Sequence, residues 1–299
     1  MLKLTVKTNS LLQDYFSLCK PKVILLMLIT TWVGMHLATN SIVPLATIFF
    51  ATIGIALAAA SAAIINHLVD RHIDAMMQRT AMRPIANGRV SAISALLFAF
   101  SLGFIGLSVL YVYINKLTAL LTFGSLIGYA VIYTIFLKHA TPQNIVIGGI
   151  VGATPPLLGW CAVTNNISAQ ALLLALIIFI WTPPHFWALA IHRCADYKKA
   201  NVPMLPATHG IEHTKLNILL YTILLFAVSL LPVAIDMSGT LYLLLSLILN
   251  CRYLYLTWLF YKDAAYGPSA LALFQFSILY LALIFLFLLI DHYLILYFY

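Results

Sequence analysis

Charged residues are scarce in this sequence, and acidic residues are the scarcest of them. Asp, Glu, Lys and Arg make up 8% of the 299 residues, and only 8 residues are acidic. A soluble domain carries roughly 25% charged residues. The composition therefore excludes a soluble enzyme and leaves no room for a sizeable soluble domain. Because 63% of the residues are hydrophobic, the chain is predicted to cross a membrane several times.

Cysteine is also rare, and its four copies lack CxxC spacing. They are scattered along the chain at Cys19, Cys161, Cys194 and Cys251. We expect them to be small apolar packing residues rather than metal ligands or disulfides. The N-terminal stretch has no compact apolar core followed by a small-residue cleavage site. Residues 1–22 are therefore expected to form a cytoplasmic lead-in and not a removable signal peptide.

Nine apolar runs are long enough to cross a bilayer, which takes about 20 residues. The sequence therefore predicts an all-α, polytopic membrane helix bundle with nine transmembrane helices, forming a single membrane-embedded domain over residues 1–299. The runs lie near 23–39, 42–65, 92–113, 117–137, 145–163, 168–191, 216–235, 239–261 and 270–290.

The basic residues indicate how these helices are oriented. All but one of the 16 Lys and Arg residues fall on the same side of the predicted membrane, and Lys116 is the exception. The positive-inside rule then places the N-terminus in the cytoplasm and the C-terminus outside. Two long connections on the cytoplasmic side, 66–91 and 192–215, are predicted to be active-site loops.

The first loop begins with a polar stripe, in the stretch NHLVDRHIDAMMQRTAMRPIANGR at 66–89. Asn66, Asp70 and Asp74 are spaced four residues apart, so they share one face of a helix. Carboxylate and amide oxygens suit Mg²⁺, and arginine forks suit phosphate oxygens. A magnesium-bridged diphosphate site and an ordinary solvated interfacial turn both fit this spacing. The arginines of the stretch are Arg71, Arg79, Arg83 and Arg89.

The second loop repeats the arrangement, in the stretch WTPPHFWALAIHRCADYKKANVPMLPATHG at 181–210. His185, His192 and Asp196 share one face if the helix continues that far, and Lys198 and Lys199 follow. The stretch also fits an interfacial loop whose lysines only anchor the orientation of the chain. A lone histidine in a helix bundle is more often a packing residue than a ligand. His185 is nevertheless the better candidate ligand to a flat aromatic metal complex, because haem iron is commonly held by histidine.

Four blocks of the sequence resemble those of the UbiA-type intramembrane prenyltransferases. The resemblance covers nearly the whole chain and implies a nine-helix bundle with a cavity open toward the cytoplasmic loops. The 142–160 block and the PMLP block are similar to the haem-modifying branch of that family. The blocks are 66–89, YTIFLKHATPQNIVIGGIVGATPPLLGW at 133–160, WTPPHFWALAI at 181–191 and DYKKANVPMLPATHG at 196–210, with KPKVILL at 20–26 fitting the start.

The resemblance also implies a reaction and roles for individual residues. The farnesyl group of farnesyl diphosphate is expected to join a vinyl group of haem B, with water addition, giving haem O and diphosphate. Mg²⁺ is the expected cofactor. The expected catalytic and metal-binding residues are Asn66, Asp70, Asp74 and Asp196; the diphosphate-binding residues are Arg71, Arg79, Arg83, Lys138, Lys198 and Lys199; the haem-binding candidates are His185 and His192.

The second motif departs from the pattern of many family members, which have a pair of Asp residues four apart. Here His192 stands four residues before Asp196, so the sequence does not determine which ligands the second motif contributes to the metal. The expected surroundings are a bacterial inner membrane, with the active site facing the cytoplasm. The expected partners are the lipid bilayer and, downstream, a terminal oxidase or haem A synthase, with no nucleic acid.

Two other functions fit parts of the sequence. A polyprenyltransferase acting on a quinone precursor such as 4-hydroxybenzoate would use the same first motif. A cation-coupled secondary transporter would use Asp70, Asp74 and Asp196 as cation sites. Transporter sites lie near the membrane midplane, whereas these acids are at predicted helix ends, which counts against transport.

Overall fold

The computed structural model of the chain describes residues 10–77, 80–265 and 267–298, with side chains described as far as residue 296. Within these ranges the regular elements are all helices, which confirms the predicted fold class. The helices are α1 (Leu11–Leu18), α2 (Pro21–Leu37), α3 (Leu45–Val69), α4 (Arg71–Met76), α5 (Ala92–Tyr113), α6 (Lys116–Ala140), α7 (Asn144–Gly152), α8 (Pro155–Thr164), α9 (Ala169–His192), α10 (Cys194–Lys199), α11 (Leu205–Thr208), α12 (Ile211–Ala234), α13 (Thr240–Lys262) and α14 (Gly267–Phe298).

The membrane-spanning helices agree with the predicted runs. In the described residues, eight helices or helix pairs are long and apolar enough to cross a membrane, and α1 with α2 forms a ninth, bent by 44°. Residues 144–164 form one span from two helices, which meet where Pro155 and Pro156 begin α8. The orientation of the termini stays a prediction.

Local sequence signals explain where several of the helices begin. Pro21 and Pro155 stand in the first turn of α2 and α8, where the missing N–H has no helical partner to lose. Ser91, Asn115 and Ser168 precede α5, α6 and α9, and each side chain accepts a hydrogen bond from the backbone N–H three residues on. These caps satisfy donors that the helices otherwise leave unpaired.

Helix α6 widens into a π-helix over Gly128–Leu137. There the Thr134 hydroxyl donates to the backbone carbonyl of Tyr129, five residues earlier, at 2.7 Å. Long π-helical stretches are rare and frequently accompany functional sites. This one ends at Leu137, directly before Lys138, so its wider turns affect the direction in which Lys138 projects from the last turn of α6.

The long helices are arranged as a closed bundle. α2 packs on α3, α3 on α5, and α5 on α6; on the other side α9, α12, α13 and α14 pack in succession, and α7 joins α6 to α9. α14 also contacts α9 and α2, which closes the bundle. α8 lies against α2, and a side chain at Gly34 or Gly159 would collide with the backbone of the partner helix at Pro156 or Thr31. Glycine at these two positions allows close helix packing.

Polar contacts at the two ends of the bundle agree with the predicted alternation of the helices. At one end, Lys20 before α2 contacts Asn66 near the end of α3. At the other end, the buried carboxylate of Asp291 in α14 accepts hydrogen bonds from the backbone N–H groups of Gly239 and Tyr242, at 2.5 and 3.0 Å. Asp291 thus caps the start of α13.

The shared helical face expected in the second loop does not form. α9 ends at His192, and Arg193 has a non-helical backbone (φ −107°, ψ 19°) that separates α9 from the short helix α10. Asp196 therefore lies on a different helix from His185 and His192. The expectation required α9 to continue as far as Asp196, and α9 ends before it.

Candidate active site

The polar stripe of the first loop is buried. Asn66, Asp70 and Asp74 are 5%, 3% and 4% exposed. α3 ends at Val69, but backbone hydrogen bonds from Asp70 to Asn66 and from Asp74 to Asp70 continue the helical path into α4. The i, i+4, i+8 spacing therefore holds across the junction, and the Asn66 amide donates to Asp70 Oδ2 at 2.9 Å. Burial argues against the alternative of a solvated interfacial turn.

Each member of the stripe contacts a cation from another part of the chain. Lys138 Nζ donates to Asp70 Oδ2 at 2.6 Å, and Arg83 Nη1 donates to Asp74 Oδ2 at 2.7 Å. With a third contact, between Lys20 and Asn66, these bonds bring together the start of α2, the α3–α4 junction, the loop that follows α4, and the end of α6. Buried carboxylates need such partners, because an unpaired buried charge is strongly destabilising. The third contact joins Lys20 Nζ to Asn66 Oδ1 at 2.7 Å.

Lys20 is a site residue that the sequence analysis missed. It lies between α1 and α2 with a left-handed backbone (φ 52°, ψ 56°), which turns its side chain toward Asn66. The signal available in the sequence was the KPK triplet before the first apolar run. A lysine there was expected only to set orientation.

The oxygen atoms of the stripe fit a hard divalent cation. Asp70 Oδ1 is buried and has no hydrogen-bond partner among the described residues, although the other oxygen of the same carboxylate has two. Native proteins rarely leave such an atom unsatisfied without a functional reason. Among the described residues no group of three His, Cys, Asp or Glu side chains is arranged to hold a metal ion by itself. The stripe thus offers Mg²⁺ two carboxylates and an amide, and the remaining ligands would come from substrate phosphate or water.

The other arginines of the first loop have different surroundings. Arg71 donates to the backbone carbonyl of Leu68 at 3.1 Å. Arg89 donates through Nε to both oxygens of the buried Asp14, at 3.1 and 2.9 Å, and so ties α1 to the loop. Arg79 lies outside the described residues, so its predicted role stays a prediction.

The second loop is more exposed than the first. Asp196 pairs with Arg193 at 3.8 Å, and Lys198 and Lys199 point to the surface. The loop still belongs to the same core, because Val202 and Met204 join the hydrophobic cluster that contains Met77 of the first loop. Its predicted metal-binding and diphosphate-binding roles stay predictions.

His185 is held tightly between aromatic rings. Its ring stacks on Trp181 at a centroid distance of 4.2 Å and on Phe274 at 4.6 Å, and Nδ1 lies 2.6 Å from Ser277 Oγ. The Ser277 hydroxyl donates to the Phe274 carbonyl at 2.6 Å, so its oxygen accepts from His185 Nδ1–H. This bond leaves the lone pair on Nε2. His192, at the end of α9, lies with Nδ1 3.2 Å from the Gly267 carbonyl.

The amino-acid sequence matches a known protein family. The UbiA prenyltransferase family matches residues 27–279. The chain belongs to the UbiA prenyltransferase family. It is accordingly a membrane-embedded prenyltransferase, which confirms the resemblance described from the sequence. Membership of this family also weighs against the transporter alternative.

Similar proteins share nearly the full length of the chain. The protoheme IX farnesyltransferase of Stutzerimonas stutzeri (strain A1501) is 60% identical over 284 residues, covering 95% of each chain. The protoheme IX farnesyltransferase of Legionella pneumophila (strain Corby) is also 60% identical, covering 94% of this chain and 95% of its own.

Solved structures with this fold are more distant in sequence. A structure of digeranylgeranylglyceryl phosphate synthase in membranes has a TM-score of 0.79 at 19% identity, covering 94% of this chain and 98% of that one. A UbiA homologue from Archaeoglobus fulgidus bound to DMAPP and Mg²⁺ has a TM-score of 0.64 at 16% identity, covering 90% and 99%. At these identities the comparison shows a shared fold.

Proposed function

We propose that the protein joins the farnesyl group of farnesyl diphosphate to a vinyl group of haem B, with addition of water, and releases haem O and diphosphate. The observation that carries the proposal is the buried stripe of Asn66, Asp70 and Asp74, with a cation against each member. The names of the 60% identical relatives supply the farnesyl donor and the protoheme acceptor.

The cations of the site would also bind the diphosphate of the substrate. Arg83 and Lys138 neutralise Asp74 and Asp70 in the chain alone. A divalent metal held by Asp70 and Asp74 would repel these two cations and leave them to bind the diphosphate oxygens. Arg83 and Lys138, with Lys20, would stabilise the negative charge that develops on the leaving group. Arg71, Arg79, Lys198 and Lys199 are proposed as further diphosphate contacts.

Asn66, Asp70 and Asp74 would hold the metal, with Asp196 approaching from the second loop. The metal, Mg²⁺ in our proposal, supplies the positive charge that neutralises the departing diphosphate. Its presence in the A. fulgidus homologue with DMAPP supports this choice. Asp70 Oδ1, which has no hydrogen-bond partner among the described residues, would gain a ligand in this way.

The transfer needs no side-chain nucleophile. The carbon–oxygen bond of farnesyl diphosphate breaks, and the electron pair leaves with the diphosphate. The vinyl group of haem B donates its electrons to form the new carbon–carbon bond, which places the positive charge on the carbon beside the porphyrin. Water adds to that carbon and releases a proton to solvent. Early water would hydrolyse the farnesyl cation instead, so the site has to exclude solvent during ionisation.

His185 is the proposed haem contact. Its Nδ1 is held by Ser277, and Nε2 keeps its lone pair, which is the form of imidazole that binds haem iron. Trp181 and Phe274 fix the plane of the ring. His192 is the second candidate, because it lies at the end of α9 nearer the second loop.

We place the site on the cytoplasmic side of a bacterial inner membrane, as the distribution of Lys and Arg favours. Haem O would then pass to a terminal oxidase or to haem A synthase. The first and second loops, 66–91 and 192–215, are proposed to enclose the site within one membrane-embedded domain.

The reaction is tested with the purified full-length protein, haem B, farnesyl diphosphate and Mg²⁺. The porphyrin product should gain the elements of farnesol, as measured by mass spectrometry, and diphosphate should be released without any membrane gradient. A parallel incubation with 4-hydroxybenzoate should leave that acceptor unchanged. Prenylation of hydroxybenzoate with haem B untouched would overturn the proposal in favour of the quinone-precursor reaction.

A further inference from the structure

His67 is a buried polar residue to which the roles above assign no function. It is 4% exposed, and neither ring nitrogen has a hydrogen-bond partner among the described residues. Buried polar side chains in native proteins are nearly always hydrogen-bonded, and exceptions call for an explanation. The surroundings of His67 supply one.

His67 lies on the same side of the helix as the two carboxylates, three residues before Asp70 and seven before Asp74. Its Nδ1 is 3.9 Å from Asp74 Oδ2, which is about 1 Å beyond a hydrogen bond. The three cations of the site, Lys20, Arg83 and Lys138, each bond to another residue of the stripe. His67 thus lies beside the charged cluster, yet among the described residues it has no hydrogen bond to any member of it.

The oxygen that His67 approaches is the one that Arg83 occupies. Arg83 Nη1 donates to Asp74 Oδ2 at 2.7 Å, and the arginine side chain is 24% exposed, so it has room to turn away. The His67 side chain is 5% exposed and is confined by its packing. A divalent cation on Asp74 repels the guanidinium, whereas a neutral imidazole N–H carries no net charge to repel.

We propose that His67 is a positioning residue for Asp74. When Arg83 turns to the diphosphate, His67 Nδ1–H donates to Asp74 and holds the carboxylate in place for the metal. Carboxylates that bind metals are themselves held by hydrogen bonds, and removing such a partner typically weakens metal binding about 10- to 100-fold. The inference rests on the proposed metal site and adds the residue that keeps its geometry.

Four substitutions test this role. His67→Phe keeps the ring shape and removes both nitrogens. His67→Asn places an amide N–H where Nδ1 stood, and His67→Gln places it where Nε2 stood. His72→Phe is the matched control, because His72 is exposed and five residues further along the chain. The probe is Mn²⁺, followed by electron paramagnetic resonance in detergent with a farnesyl diphosphate analogue that does not ionise.

The Phe and Gln variants should bind Mn²⁺ about 10- to 100-fold more weakly than the wild type. The His67→Asn and His72→Phe variants should bind Mn²⁺ with an affinity within about twofold of the wild type. A difference of that size is no larger than the usual departure from additivity between independent sites. Added to Asp74→Asn, His67→Phe should weaken binding by no more than that factor, because the group it positions is already changed. If the Phe variant does not fold, the Asn and Gln variants decide the question alone.

Wild-type affinity in the Phe or Gln variant overturns the role of His67. An Asn variant as weak as the Gln variant, or an equal loss with and without Asp74→Asn, does the same. Absence of Mn²⁺ binding in the wild type overturns the proposed metal site itself and the inference with it. The two failures are therefore distinguishable.

Discussion

Lys138 Nζ lies 2.6 Å from Asp70 Oδ2, and the two residues are 68 positions apart in the chain. The other oxygen of the same carboxylate is buried and has no hydrogen-bond partner in the part of the chain that the structure describes. One side of Asp70 is thus neutralised by the protein, and the other is available to a ligand. Asp70 can therefore be buried without destabilising the chain and still offer an oxygen to a divalent cation.

The carboxylates of the stripe should be indispensable for turnover. Asp70→Ala or Asp74→Ala removes a hard oxygen ligand, and we expect a loss of roughly 10²-fold or more in rate. Turnover is measured as haem O formed at saturating farnesyl diphosphate and Mg²⁺. The control is Asp236→Asn, an exposed acid distant in sequence from the stripe. Near-normal rates in both alanine variants would remove the stripe from the metal site.

Lys138 should stabilise the chain when metal is absent. Lys138→Met leaves the buried Asp70 without its cation, so the free energy of unfolding should fall by about 3 kcal/mol. Thermal unfolding in detergent measures this change. Mg²⁺ with an unreactive farnesyl diphosphate analogue should restore part of the loss, because a ligand that binds only the folded state stabilises it.

The matched control for that change is Lys116→Met. Lys116 lies near the Tyr111 ring, with Nζ 5.8 Å from the ring centroid, at the opposite end of α6. The Lys116→Met variant should lose little stability. Mg²⁺ with the unreactive analogue should stabilise it no more than it stabilises the wild-type protein. Equal destabilisation of both variants would mean that the Lys138–Asp70 pair contributes nothing specific.

The haem contact should depend on His185 and on the serine that orients it. His185→Ala should weaken haem binding and shift the Soret band, while affinity for farnesyl diphosphate stays largely intact. Ser277→Ala should change the band in the same direction by a smaller amount, since Nδ1 loses its acceptor. The measurement is a spectrophotometric haem titration, with the exposed His213→Ala as control. An unchanged spectrum in the His185 variant would move the haem site to His192.

The orientation of the helices in the membrane is a prediction from the distribution of basic residues. A reporter active only in the cytoplasm should give signal when fused after Arg89 or Lys199, and none when fused after Asn165. The contacts between Lys20 and Asn66 and between Lys138 and Asp70 show that these helix ends lie on one side of the bundle. Reversed signals would overturn the assigned orientation, although the fold would stand.

Arg89 should act on stability and not on metal binding. Its Nε holds both oxygens of Asp14, which is 2% exposed, so Arg89→Met leaves a buried carboxylate unpaired. We expect a clear drop in Tm with unchanged Mn²⁺ affinity. Asp14→Asn added to Arg89→Met should recover part of the stability. A weakened Mn²⁺ affinity in the single variant would instead assign Arg89 to the substrate site.

The parts of the site that were predictable are those that depend on local spacing. Asn66, Asp70 and Asp74 are four residues apart, and helix geometry places such residues on one face whatever surrounds them. The second loop shows the limit of this reasoning. Its predicted face required a continuous helix, and the backbone at Arg193 breaks it.

The sequence by itself determined the fold class, the approximate helix spans and the stripe, because hydropathy over about 20 residues and helical periodicity are local properties. Only the tertiary structure decided which cation meets which ligand. Lys20 reaches Asn66 across 46 positions, and the π-helix places Lys138 against Asp70. These pairs depend on how the helices pack and on charges that must be neutralised once buried, and neither is encoded in the spacing of nearby residues.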